Sequence, residues 1–427
     1  MGNTQIRIGL LGFGNVGSAF IALLEEQRSA IAARTGLELR VTHVAVKDLT
    51  KKRNGLDSEI ELTDEPQQVV TSPEVDIVVE LMGGLFPAKD LIETALANSK
   101  PVVTANKELL SKEGKGLFRL ADKKRVDIHF EAAVAGGIPL IRVLRESLAG
   151  EPVEKIMGIV NGTTNYILSQ MDETGAPYDE ALLEAQQLGY AESDPTADVS
   201  GQDAASKAAI IAMVAFGADV ALNDVLFEGI ENISSADMAF AKKTGNTIKL
   251  LAMVAQRDND LEVQVYPVML SKNHPLSSVG DSYNAVFVEG NAVGDLMLFG
   301  RGAGGMPTAS AVMGDVIDSA FNLSKKTYRA MGTLEEVSLM KAGCQKSAYY
   351  IGVQVIDEPG VLATVASIFG DNGISIQTME QEGMGGEARL IFITHEAEEN
   401  QLEETLSRLS GLSCVEKLGT IIKVLEA

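Results

Sequence analysis

Cysteine occurs twice and histidine four times in 427 residues. Cys344 and Cys414 cannot build a disulfide framework or a cysteine-rich metal centre. His43, His129, His274 and His395 are too scattered for a paired-histidine zinc site. Basic residues are in deficit: 36 Lys and Arg stand against 59 Asp and Glu, a net charge of −23. Such a surface repels polyanions, which argues against general binding of nucleic acid or anionic membranes. No apolar run reaches the length of a membrane span, and the first residues lack a secretory layout. A cytoplasmic protein of two or three domains is expected.

What the chain does contain is a strand, a glycine turn and a helix near its start. "IRIGLLGFGNVGSAFIALLEEQ" sets Gly12, Gly14 and Gly17 in GxGxxG spacing directly after an apolar run. The first glycine permits a tight turn, the second admits a pyrophosphate to the backbone, and the third lets the helix pack on the strand. The alternative is a purely structural turn. The strand before it and the helix after it favour a dinucleotide site made by Gly12, Phe13, Gly14, Asn15, Val16 and Gly17.

"LELRVTHVAVKD" is the expected second strand. At the place where an acid usually binds the ribose 2′-hydroxyl of NAD, it ends in Lys47, followed by Asp48, Lys51, Lys52 and Arg53. The basic cluster, Lys47 and Arg53 with it, suits a 2′-phosphate and favours NADP; Asp48 keeps NAD open. "VDIVVELMGG", "KPVVTANKELL" and "RVDIHFEAAVAGGIPLI" continue the alternation of strand and helix. That alternation predicts an α/β fold with a Rossmann-type, doubly wound parallel sheet. Ligands of such sheets gather at the carboxyl ends of the strands, which assigns Met82, Lys107 and the loop after Glu131 to one edge.

"GQDAASKAAIIAMVAFG" poses the sharpest chemical question. Nine apolar residues run from Ala208 to Phe216, the profile of a buried helix, before Gly217 supplies a stop. Yet Asp203 and Lys207 share one face at its head. They are either an ordinary pair at a helix end or a reactive lysine with its companion. Glu192, Asp194 and Asp198 precede them. Carboxylates so crowded are costly to bury unpaired, so they face either solvent or a cationic ligand.

"GFGNVG", "TANK", "AGGIPLI", "NGTTNYIL", "LGYAESDPTADVSGQDAASK" and "GRGAGGMPTASAVMGD", in this order, resemble homoserine dehydrogenase of the monofunctional type. The long acidic block is the most specific of them. The resemblance implies reversible oxidation of L-homoserine to L-aspartate 4-semialdehyde, with a nicotinamide cofactor and no catalytic metal. It implies that Lys207 is the catalytic lysine, with Asp203 beside it and Lys107 a second lysine close to substrate and nicotinamide. It further implies that Glu192 and Asp198 hold the substrate ammonium, with Tyr190, Gly162 and Thr163 nearby. Gly189 and Gly304 would line the cofactor. Glu131, Val134, Gly136 and Ile138 match a loop that binds sodium largely through backbone carbonyls, donors that suit a hard cation. Two lysines converging on one oxygen would depress at least one amine, whereas Asp203 would raise Lys207; which lysine moves the proton stays open, with Lys207 favoured. The rival aspartate-semialdehyde dehydrogenase chemistry needs a thioester-forming cysteine, and both cysteines lie outside this part of the chain.

After a linker at about 331–346 the pattern restarts as strand, helix, strand, strand, helix, strand, with a hairpin turn at "EGMGGE". "DEPGVLATVASIFGDNGISI" resembles an ACT domain, a ferredoxin-like α+β module, over 347–427. The resemblance implies an effector loop at Asp357, Pro359 and Gly360, pairing of sheets between subunits in a homodimer or homotetramer, and an amino-acid effector, threonine first. A dimerisation module without effector is the alternative. The expected organisation is a nucleotide domain over 1–135 completed by a return helix at about 305–330, a catalytic and dimerisation domain over 136–304, the linker and the ACT module. A nonenzymatic amino-acid or NADP sensor is the competing reading; the joint presence of Lys107, Glu192, Asp203 and Lys207 argues against it.

Overall fold

Six parallel strands form one sheet: Thr4–Leu11 (β1), Leu37–Ala45 (β2), Glu61–Thr63 (β3), Ile77–Glu80 (β4), Val102–Thr104 (β5) and Ile128–His129 (β6). Their spatial order is β3-β2-β1-β4-β5-β6, so the direction of winding reverses between β1 and β4. Ile6, Ile8, Leu10 and Leu11 of β1 and all of β4 are buried, which explains why these segments read as continuous apolar runs rather than alternating ones. The connecting helices are Asn15–Thr35 (α1), Pro66–Thr71 (α2), Ala88–Ala97 (α3) and Lys107–Lys124 (α4). The helix Gly305–Lys325 returns to this sheet. Its Ala309, Val312, Met313, Val316 and Ala320 share a core with Ile8, Leu10, Phe20 and Leu24. Each large apolar side chain fully buried there is worth about 1.5–3 kcal/mol.

The structure, a computed structural model, describes residues 4–53, 55–383 and 386–425. Contacts divide the chain into two compact units that do not follow its linear order. The first comprises Met1–Ile156, Ala205–Val225 and Asn284–Val337; the second comprises Met157–Ala204, Leu226–Tyr283 and Ser338–Ala427.

In the second unit the strands Asn246–Arg257 and Asp260–Ser271 pair antiparallel along their whole lengths. The chain ends in the sequence strand Lys346–Ile356, helix Val361–Asp371, strands Ile376–Gly383 and Glu387–Thr394, helix Glu399–Ser410 and strand Val415–Leu425. These four strands lie in the order 415–425, 346–356, 387–394, 376–383, antiparallel throughout. Their inner face packs Tyr349, Ile351, Val353 and Phe392 against Val365, Phe369 and Leu402 of the two helices. Met384 and Gly385 of the expected hairpin turn lie outside the described residues; the strands on either side pair as far as Gly383 and Ala388. The strand Val415–Leu425 also runs parallel to Asp260–Ser271, but only where Lys423–Leu425 meet Val268–Leu270.

Candidate active site

In the first unit, strand register builds the site edge. Leu11 is level with Ala45 of β2 and with Glu80 of β4, and Glu80 is level with Thr104 of β5. The loops that follow therefore leave the sheet together, carrying Gly12–Gly17, Lys47–Arg53, Met82 and Lys107. The glycine turn is sterically demanding. A Cβ at Gly12, whose φ is +101°, would stand 2.9 Å from the Leu81 carbonyl oxygen, and one at Gly17 would stand 2.4 Å from the Gly12 oxygen. Nothing lies within 4 Å of a Cβ built on Gly14, the residue that opens α1. Helix α1 thus presents its first amides, which have no partner within the helix, beside open space: a cradle that fits a pyrophosphate. Phe13 packs on the sheet core. Asn15 and Val16 begin α1, and the Asn15 side chain would meet a Cβ on Gly305 at 2.8 Å. This contact sets Gly304, with φ +127°, next to the turn.

Glu80, fully buried, is the organiser of this edge. Its carboxylate accepts from the amides of Met82 at 2.7 Å and Gly83 at 3.0 Å and from the Thr104 hydroxyl at 2.6 Å. Thr104 accepts from the Asn106 amide, and Asn106 donates to the Gly84 carbonyl at 2.7 Å while its Oδ1 caps α4 through the Leu109 amide. Lys107 is the first residue of α4 and is exposed, so its position follows from that cap. Sequence reading passed over Glu80. The available signal was a lone carboxylate closing an apolar strand, which cannot be buried without donors.

In the loop after β2, the acid nearest the strand end is held by its own segment. Asp48 accepts from the Thr50 amide at 2.8 Å and hydroxyl at 2.6 Å, and these bonds hold its carboxyl below the usual range. Arg53 donates to the carbonyls of Lys51 and Asp48, which closes the loop, while Lys47 stays exposed.

The loop after β6 is buried at Glu131, Val134, Gly136 and Ile138. Glu131 directs its carboxylate to the amides of Ile141 and Arg142 at 2.7 and 2.8 Å, and its own amide donates to Asp315. Burial, reinforced by the Asp315 charge, pushes its carboxyl up to about 7 against the pull of those amides. Ala135 and Gly136 both adopt left-handed backbone, with φ +55° and +46°. Among the described residues, no hydrogen bond reaches the carbonyls of Val134 or Gly136. Buried carbonyls without donors are rare.

In the second unit, the join "NGTTN" is the start of the helix Gly162–Thr174. Asn161 caps it: Oδ1 accepts from the Thr164 amide at 2.8 Å. The amide group of the same side chain donates to Asp198 at 2.7 Å and to Asp203 at 2.8 Å. One neutral residue thus gathers two of the acids that sequence reading singled out. Thr163 donates to the Tyr190 carbonyl at 2.6 Å, and the Tyr190 ring lies 4.8 Å from that of Tyr166. Gly162 is the first residue of the helix, and Gly189, with φ +78°, turns the chain before Tyr190. Glu192 is exposed, with its carbonyl held by Gln186. Asp194 is occupied locally by the Thr196 amide and hydroxyl. The acidic block therefore contains carboxylates of different duties, which composition could not separate. The helix Gln202–Phe216 carries Asp203, 6% exposed, and Lys207, 8% exposed. Lys207 is not an exposed helix-end residue.

The loop at Asp357, Pro359 and Gly360 lines a cavity of about 390 Å³, closed on one side by Gln381, whose side chain donates to Asp357 at 3.4 Å. Gly360, with φ +94°, opens the helix Val361–Asp371.

Comparison with known proteins matches each portion of the chain. Residues 12–131 match the family model "Homoserine dehydrogenase, NAD binding domain", residues 139–317 match "Homoserine dehydrogenase", and residues 349–414 match "ACT domain". The homoserine dehydrogenase of Corynebacterium glutamicum is 45% identical, the alignment covering 99% of this chain and 96% of that protein. That of Bacillus subtilis is 40% identical over 98% of each. The crystal structure of a homoserine dehydrogenase from Thiobacillus denitrificans superposes with a TM-score of 0.95 at 38% identity, over 100% of this chain and 99% of that one. A hyperthermophilic archaeal homoserine dehydrogenase in complex with NADPH matches with a TM-score of 0.65 at 29% identity, over 78% of this chain and 100% of that one. With catalytic, nucleotide-binding and ACT portions all matched and identity sustained over nearly its whole length, the chain belongs to the homoserine dehydrogenase family of oxidoreductases.

Proposed function

We propose that the protein interconverts L-homoserine and L-aspartate 4-semialdehyde with NADP as the favoured carrier, and that Lys207 moves the proton. Gly12 to Gly17, Met82 and Gly304 would hold the cofactor, Gly189 would line it, and Lys47 and Arg53 would meet a 2′-phosphate. The bonds from Thr50 keep Asp48 charged, so the preference rests on the cations Lys47 and Arg53 of the same loop. When bound, the nicotinamide supplies the hydride acceptor for C4 of the alcohol. The chain's own task is the proton: the alcohol O–H bond breaks, and its proton passes to the neutral Lys207 amine. Lys107, as a cation, would stabilise alkoxide character on the same oxygen. Glu192 and Asp198 would hold the substrate ammonium, with Tyr190, Gly162 and Thr163 shaping its surroundings. Asp203 would orient Lys207.

The observation that carries this reading is Asn161, which binds Asp198 and Asp203 at once and so ties substrate-holding and lysine-orienting acids to one helix start. The carbonyls of Val134 and Gly136, without hydrogen bonds among the described residues, support a sodium ion held there with the backbone oxygens of Glu131 and Ile138. The strand Ile376–Gly383, last in its sheet and largely exposed, supports pairing between subunits through the ACT modules. A threonine effector at Asp357, Pro359 and Gly360 belongs to the same proposal.

The test is NADPH formation from L-homoserine at mildly alkaline pH, with NAD in parallel. Turnover with NADP supports the proposal. Turnover with NAD alone keeps the reaction and overturns the reading of Lys47 and Arg53. Folded protein that binds nucleotide but turns over neither favours the sensor. Lys207→Ala is expected to retain nucleotide binding while losing about two to four powers of ten in turnover.

A further inference from the structure

The strand Val415–Leu425 leaves the strand Asp260–Ser271 after only three paired residues, Lys423–Leu425 against Val268–Leu270. On the N-terminal side of Lys423 the two are unpaired, and a cavity of about 690 Å³ lies there. It is lined on one side by Glu228, Tyr266 and Pro267, and on the other by Tyr349, Lys417 and Lys423. All of these residues belong to the second unit. The cavity is separate from the loop at Asp357 to Gly360, which lines a different one.

Two polar groups lack partners, one in the lining of this gap and one bonded to Lys423 of that lining. Tyr349 is 2% exposed, and among the described residues its hydroxyl has no hydrogen-bond partner, although the side chain lines the cavity. Gln345 is 5% exposed; its Oε1 accepts from Lys423, while its Nε2 has no partner. A buried donor left unmade is costly, and a fold retains one where something else completes it. The charges are also mixed. The Lys423 ammonium lies 4.0 Å from the Tyr266 ring centroid and donates to Gln264, holding it at the cavity wall. Glu228, exposed, faces the same space. Of the other charged groups in the lining, Arg389 and Asp237 bind each other at 2.6 Å and Glu399 accepts from the Gly343 amide, while Lys417 and the exposed Glu403 add one charge of each sign. A simple anion would be attracted by Lys423 and repelled by Glu228, and a simple cation the reverse. A small molecule bearing both charges satisfies both.

We propose that this gap is a binding site for a zwitterionic amino acid, its ammonium on Glu228 and its carboxylate on Lys423 and the Tyr349 hydroxyl. Occupancy would bridge the strand Asp260–Ser271 to the ACT sheet where their backbones part. The site does not depend on the reaction proposed above.

The experiment is calorimetric titration and thermal unfolding of the full chain with the proteinogenic L-amino acids, one at a time at millimolar concentration. Wild type, Lys423→Met, Glu228→Gln, Tyr349→Phe and Asp357→Asn are compared. At least one amino acid should bind and raise the unfolding midpoint. Its affinity should fall roughly tenfold or more in Lys423→Met and Glu228→Gln, and persist in Asp357→Asn. Tyr349→Phe should weaken binding while leaving the unliganded midpoint unchanged or higher, which a merely structural hydroxyl would not do. Should Lys423→Met fail to fold, Tyr349→Phe decides. Absence of binding by every amino acid, or binding untouched by Tyr349→Phe and by Lys423→Met, overturns the proposal.

Discussion

Replacing Lys249 by Met should flatten the dependence of stability on alkaline pH. Lys249, 4% exposed, lies in the strand Asn246–Arg257, and its Nζ donates to Asn165 Oδ1 at 3.1 Å and to the Val279 carbonyl at 2.6 Å. Two acceptors match the two N–H bonds of a neutral amine; an ammonium carries a third proton that finds none among the described residues. Burial pushes the amine down to about 8 from the ordinary 10.5, the charges of Asp172 and Glu173 opposing it. In the unfolded chain the side chain stays protonated up to 10.5. Between 8 and 10.5 the unfolded state therefore binds the extra proton, and stability rises with pH. At about 1.36 kcal/mol per pH unit the whole interval is worth on the order of 3 kcal/mol, present above 10.5 and lost as pH falls through 8. The assay is urea unfolding of wild type and Lys249→Met across this interval. Other groups titrate in both proteins, so the difference between the two curves isolates Lys249. Wild type should gain relative to the variant as pH rises. Parallel curves would refute the argument.

Asn161→Asp keeps the helix cap but sets a third carboxylate against Asp198 and Asp203; initial rates should show kcat/KM lowered by about two powers of ten, the scale of a displaced acid–base group. Glu80→Gln removes a charged acceptor shared by two amides and a hydroxyl, each such bond being worth about 1.5–3 kcal/mol, so fluorescence titration should show weaker NADPH binding with the fold retained. Asp237, 1% exposed, accepts from Ser234, Tyr350, Arg389 and Thr420. Asp237→Ala leaves Arg389 unpaired in a largely buried position and should cost about 3–5 kcal/mol in denaturant unfolding, whereas loss near zero would show that water replaces the acid.

Local chemistry made several features of this chain legible before any coordinates. Gly12 and Gly17 announce their turn because a side chain at either position would collide with backbone, an exclusion that acts within a few residues and so is written in spacing. The continuous apolar strands announce a parallel sheet for a similarly local reason, since both faces are covered. Six elements of the ACT module follow from periodicity and turn residues alone; the two-residue strand Ala397–Glu398, which pairs with the first strand, does not.

Other features depend on which distant segments meet, and no window of sequence holds that information. The acids before Lys207 looked equivalent; tertiary contact gives Asp198 and Asp203 to Asn161, some forty residues upstream, and leaves Asp194 to its neighbour Thr196. Glu80 reads as a strand-end charge until β5 brings Thr104 to it. Lys207 lies at the head of an apolar helix in either description, but only packing decides that the head is buried. The sequence by itself determined which residue types were available and how the backbone would turn. The tertiary structure decided which charges are desolvated and what compensates them, because burial and hydrogen bonding are properties of neighbours in space, and those neighbours come from strands and helices far apart in the chain.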